Sequence, residues 1–253
     1  MSRKLFMMKA YGVILLALII VTSCGDDESN FDMTIKLSYD DAPLVMSHDY
    51  TYPDGRTIRF NRVSFFISKL NVSDGTESVQ LLDAQHVNLT QSHIDEERAS
   101  EGYQVISNDV ELASINSISF NIGLTADQNG QSPSDYPVDS DLSNSAEYWV
   151  GWESYVFAKI EGLIDLDNDG TPESTFALHL GSDEIMRTVD IENLSDSRDS
   201  YSLNIDLDVK QIFNDGTTTY DIVETTNIHS LNQIAQANFL INNLERALEN
   251  SNN

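Results

Sequence analysis

Apolar residues alternate with polar ones over most of the chain, with the period of two that marks half-buried strands. In 31–39, FDMTIKLSY, the residues Met33, Ile35 and Leu37 fall on one side. Residues 58–72 carry apolar Ile58, Phe60, Val63, Phe65 and Ile67, and Asp-Gly pairs at 54–55 and 74–75 supply turns at both ends. Short strand patterns follow at 78–84, 114–124, 153–166, 174–180, 186–194 and 201–213. The set predicts an all-β fold, an antiparallel β-sandwich of about eight strands. Near the C-terminus the period changes. Leu231, Ile234, Ile241, Leu244 and Leu248 recur at spacings of three, four or their sums, which predicts a C-terminal amphipathic helix within 229–250, in one piece or two.

Two segments fall outside this pattern. Residues 125–147 form a long polar stretch with two of the five prolines, and it ends beside Trp149. A loop of that length inside a compact domain is usually functional or disordered. The N-terminus begins with basic Arg3, Lys4 and Lys9 and continues into apolar 11–21, too short for a membrane span of about 20 residues. It reads as a signal peptide, residues 1–23, closed by VTSC in the manner of a bacterial lipobox. Cys24, the single cysteine, is then the lipid anchor. GDDESN at 25–30 extends the acidic tether of 24–30, and 31–253 form one domain. An acidic stretch after a lipidated cysteine resembles the export signal of Bacteroidota-type surface lipoproteins. The expected location is the cell envelope, on a lipid-anchored outer membrane, with exposure at the cell surface as the further expectation.

Charge narrows the partners. The formal net charge is −27. Loss of the signal segment takes 14 basic residues to 11 against 41 acidic ones, giving −30. Such a chain repels phosphate backbones, so no nucleic-acid partner is expected. With Cys24 lipidated, neither disulfides nor Cys-ligated metals are available. No G-x-S-x-G, P-loop or H-E-x-x-H motif is present, which argues for a binding protein rather than an enzyme.

Two places are candidates for chemistry. DLDNDGTPE at 165–173 sets Asp165, Asp167 and Asp169 at alternate positions, Gly170 at the turn and Glu173 beyond. Alternating carboxylates suit a hard cation such as calcium. Phe176 stands where an EF-hand loop would place its closing glutamate, so an ordinary Asp/Gly turn is the competing reading. The other is His179, on a strand face opposite Phe176, Leu178 and Leu180, where a lone strand histidine is usually structural. The remaining histidines, at 48, 86, 93 and 229, show no short His-x-His spacing.

The order of segments resembles one known family. IRFNRVSFFISKLNV (58–72), ISFNIGLTADQNG (118–130), YWVGWESYVFAKIEG (148–162), FALHLGS (176–182) and HSLNQIAQAN (229–238) are similar, in sequence and spacing, to motifs of the copper-binding MbnP-like periplasmic and outer-membrane proteins. The resemblance implies a β-sandwich that binds one copper through imidazoles, with His179 at a ligand position. It implies a tryptophan near the metal that some members oxidise to kynurenine, here Trp149, and a dihaem peroxidase-like partner. Ser68 stands where methanotroph members have a histidine, and Gly151 where the second family tryptophan falls, with Trp152 one residue later. Being off the family register, Trp152 is expected to pack in the core or at an edge. The alternative is a calcium-stabilised surface β-sandwich that binds a glycan or a protein.

Overall fold

The computed structural model describes residues 29–250 except 113, 193 and 195–199, so Cys24, the signal segment and most of the tether lie outside the described residues. The strands in chain order are β1 (Ser29–Tyr39), β2 (Ala42–Pro43), β3 (Asp49–Thr51), β4 (Thr57–Ser73), β5 (Ser78–Asn88), β6 (Tyr103–Val110) and β7 (Ser117–Ile122). They continue with β8 (Tyr148–Trp149), β9 (Ser154–Tyr155), β10 (Ala158–Ile164), β11 (Ser174–Leu180), β12 (Arg187–Ile191), β13 (Ser200–Asp208) and β14 (Asn227–Ile228). A C-terminal helix spans Ile234–Asn250.

Two sheets enclose the core. One is ordered β13-β1-β2 with β6 also pairing β1, and the second is ordered β12-β7-β4-β10-β11-β14 with β3 and β5 on β4. The predicted alternation holds: Phe31, Met33, Ile35 and Leu37 of β1 are buried, as are Phe176, Leu178 and Leu180 of β11. The helix places Ala237, Leu240, Ile241, Leu244 and Leu248 inward. It begins at Ile234, later than the periodicity suggested, and Leu231 stays half exposed on the turn before it. The sheets are mixed rather than wholly antiparallel. β1 pairs β13 in parallel from Asn30↔Ser200 to Ser38↔Asp208, and β14 runs parallel to β11. Pattern alone sets the inward face and leaves strand direction free.

One break in the alternation matters downstream. On β4 the inward residues step by two from Ile58 to Phe60, then by three to Val63. The pairing shifts at that point: Glu161 of β10 faces Arg62, while Gly162 faces Phe60. Asn61 is the extra residue of a β-bulge. A side chain at 162 would put its Cβ 1.9 Å from the Arg59 carbonyl oxygen, so only glycine fits. The Glu161-Gly162 pair therefore lies where the sheet bends.

Candidate metal centre

Four rings gather on the outer face of the second sheet. His179 sits in β11 directly opposite Lys159 of β10. β14 adds to the other side of β11, with Ala177↔Asn227 and Leu178↔Ile228 in register. One step further, that parallel register sets His229 beside His179. The imidazole centroids are 4.7 Å apart, about the spacing of neighbouring strands. The chain turns sharply after His229. Gln233 accepts from the His229 amide and donates to the Asn227 carbonyl, while Ser230 caps the short turn at Leu231–Gln233.

Trp149 closes over the pair, with its ring 5.1 Å from His229 and 6.0 Å from His179. Trp152 stacks on Trp149 at 5.0 Å and 14°. This corrects the expectation that Trp152 merely fills core or edge. It is half-buried and shares the site, because Trp149 and Trp152 bracket the tight loop of the β8–β9 hairpin. Gly151 in that loop leaves room for the indole, since a Cβ there would lie 3.0 Å from Trp149 Nε1. Gly181 is more constrained: a Cβ would meet the Tyr155 carbonyl at 2.6 Å and the Trp152 ring at 3.3 Å. The expected strand 153–166 is also divided, into β9 and β10. Trp149 thus reaches His179 from a separate small hairpin, and the partner across from His179 is Lys159.

The polar stretch 125–147 is ordered, and it holds this hairpin. Asn129 accepts from the Ser154 hydroxyl and the Tyr155 amide and donates to Asp183. Tyr155, fully buried, donates to the Leu142 carbonyl. Glu147, whose side chain is 4% exposed, lies 2.7 Å from Arg62 and 2.8 Å from Lys159. Lys159 also donates to the Ala146 carbonyl. Burial pushes the Glu147 carboxyl up, but Lys159, His86 and Arg62 outweigh it and hold the group below its ordinary value. So the residue two before Trp149 is fixed to the sheet by charge.

His179 makes one polar contact, Nε2 to Glu161 Oε1 at 2.7 Å. Its Nδ1 is buried and has no hydrogen-bond partner among the described residues. Crowding of the His229 imidazole, and then the neighbouring His179, push the His229 pKa down, which keeps it neutral near pH 7. The Glu161 carboxyl is held low, first by the His179 hydrogen bond, against the effect of burial, with Lys159 and Arg62 adding. Two imidazoles side by side, one with an orphaned buried nitrogen, are a donor set that copper accepts. Unsatisfied buried polar atoms are rare, so that nitrogen fits a ligating role. By contrast His93 has both nitrogens engaged, accepting from the Leu37 amide and meeting the Leu89 carbonyl, and is structural.

The carboxylate loop folds as a turn between β10 and β11. Oxygens of Asp165, Asp167, Asp169 and Glu173 lie within 4.8 Å of one another. Both Asp165 oxygens already accept from backbone amides, those of Asp169 and Gly170. Ser68, at the position of a family histidine, is buried and donates to the Gly123 carbonyl.

Of the residues singled out in sequence, the structure brings His179 and Trp149 together and keeps the carboxylate loop at the other end of the β10–β11 hairpin. Cys24 lies outside the described residues. Sequence reasoning did not single out His229 or Glu161 as site residues. His229 opens a segment that resembles the family's closing motif, and Glu161 lies in the motif that also holds Trp149, so each had a signal.

No curated protein matches the chain significantly. MbnP from Methylosinus trichosporium shares the fold, with a TM-score of 0.51 at 9% identity over 76% of this chain and 79% of that one. The family model for MbnP matches residues 28–232, which include β1, both tryptophans, His179 and His229. The chain belongs to the MbnP family.

Proposed function

We propose that this MbnP-family protein is a copper-binding lipoprotein of the cell envelope. His179 and His229 would hold the metal and Trp149 would cover it. The observation that carries this reading is the imidazole pair at 4.7 Å with the buried, partnerless Nδ1 of His179. Copper at that position would supply one-electron redox chemistry beside an indole. The protein's own residues do the holding: β11 and β14 set the two rings side by side, and Glu147 and Asn129 fix the hairpin that carries Trp149. On this reading the protein binds and does not catalyse. A dihaem peroxidase-like partner, which the resemblance implies, would act on Trp149, and Cys24 would tether the chain to the outer membrane. Copper stoichiometry on purified protein, with and without a chelator, tests the reading. One copper per chain that is lost in His179→Ala and in His229→Ala is expected. Wild type without copper would overturn it.

A second reading rests on the 4.8 Å convergence of the Asp165–Glu173 carboxylates: a calcium-stabilised sandwich that binds a glycan or a protein at its surface. A melting temperature that is higher in calcium than in chelator supports it, and identical curves dismiss it.

A further inference from the structure

We propose that Glu161 is a positioning residue that selects Nδ1 of His179 as the copper-donating atom, an inference that rests on the copper reading above. A carboxylate can only accept, so at 2.7 Å the Nε2 of His179 must be the N–H donor. A neutral imidazole carries one N–H, which leaves its lone pair on Nδ1. That atom is buried and lacks a hydrogen-bond partner among the described residues. Metal ligation needs the unprotonated nitrogen, and an outer hydrogen bond fixes both the tautomer and the ring orientation.

The fold explains why Glu161 can do this. Lys159 stands directly opposite His179, and Glu161 lies two residues further along the same face of β10. It is the diagonal neighbour, within reach of a long side chain. Ala177, directly opposite Glu161, is too short to intervene. The β4 bulge at Asn61 lies opposite the Glu161-Gly162 step and bends the sheet beside this pair. The Glu-Gly dipeptide thus combines two tasks, orienting the imidazole and permitting the bend.

The test separates this inference from the copper reading. Long-range nitrogen–proton NMR of metal-free protein at mildly alkaline pH reports the tautomer of each histidine. Wild type should show His179 protonated on Nε2. Glu161→Leu should lose that preference, while Glu161→Gln, whose carbonyl can still accept, should keep it. Copper(I) affinity, measured by competition with a chromogenic chelator, should fall by about 10- to 100-fold in Glu161→Leu and be largely restored in Glu161→Gln. Circular dichroism checks that the variants fold. Wild-type His179 protonated on Nδ1 overturns the inference, as does Glu161→Leu that binds copper like wild type. Failure of wild type to bind copper overturns the copper reading, whereas the metal-free tautomer is measured independently of it.

Discussion

Replacing Glu147 with Gln removes a carboxylate paired with both Lys159 and Arg62 and keeps the side-chain shape. The Lys159 and Arg62 side chains are 8% and 25% exposed. Removing one partner of a buried pair costs about 3–5 kcal/mol because the other charge stays buried. Water reaches Arg62, which screens part of this, so we expect a loss of about 2–3 kcal/mol. At about 2–4 °C per kcal/mol for a domain of this size, the midpoint should fall by roughly 5–10 °C. Thermal unfolding followed by tryptophan fluorescence is the assay, because the chain's two indoles both lie on the hairpin that Glu147 anchors. Glu147→Leu combined with Lys159→Met should recover much of the loss, since an apolar pair replaces the charges. The pH dependence has a definite sign. The folded carboxyl is held below its ordinary value, so its contribution is complete above about pH 4.3 and fades as pH falls through the depressed value. Wild type and Glu147→Gln should therefore converge in acid. A midpoint within about 2 °C of wild type at neutral pH, under 1 kcal/mol on the same conversion, would refute the reasoning.

Gly181→Ala should displace the Trp152 loop, because its Cβ would meet a backbone oxygen that cannot swing away. Lower thermal stability with altered tryptophan emission is the expected result. Asp165→Ala should lower the melting temperature even in chelator, since the Asp169 and Gly170 amides lose their acceptor; a loss seen only in calcium would assign the whole effect to the ion. His86, His93 and His229 all have pKa values pushed down, in each case first by burial. Stability should thus be complete above about pH 6.5 and decline as pH falls below it, which a series of thermal midpoints will measure. Cys24→Ala should move the protein from the membrane fraction to the soluble one; unchanged fractionation would refute the anchor.

The sheets were legible because burial alternates along single strands. Even the β4 bulge is written in the sequence, as the three-residue step from Phe60 to Val63. Strand direction was not legible, because β1 buries the same residues whether β13 runs parallel or antiparallel to it. His179 could be read from its place opposite three apolar strand residues. For His229 the only signal was the likeness of its segment to the family's closing motif, since its partnership depends on β14, two residues long, adding beside β11 through a contact of about 50 residues' separation. The polar stretch 125–147 shows no periodicity because its order comes from side-chain-to-backbone bonds and buried charge, as with Asn129 and Glu147. Trp152 was misplaced because stacking on Trp149 follows from a tight loop and not from strand alternation.

X-ray absorption at the copper edge tests the central claim most directly, because it counts imidazole ligands on the bound metal. The account predicts two imidazoles per copper in wild type and no imidazole-bound copper in His179→Ala or His229→Ala. Copper surrounded only by oxygen, as the Asp165–Glu173 loop would supply, or an imidazole count unchanged by either substitution, would contradict it.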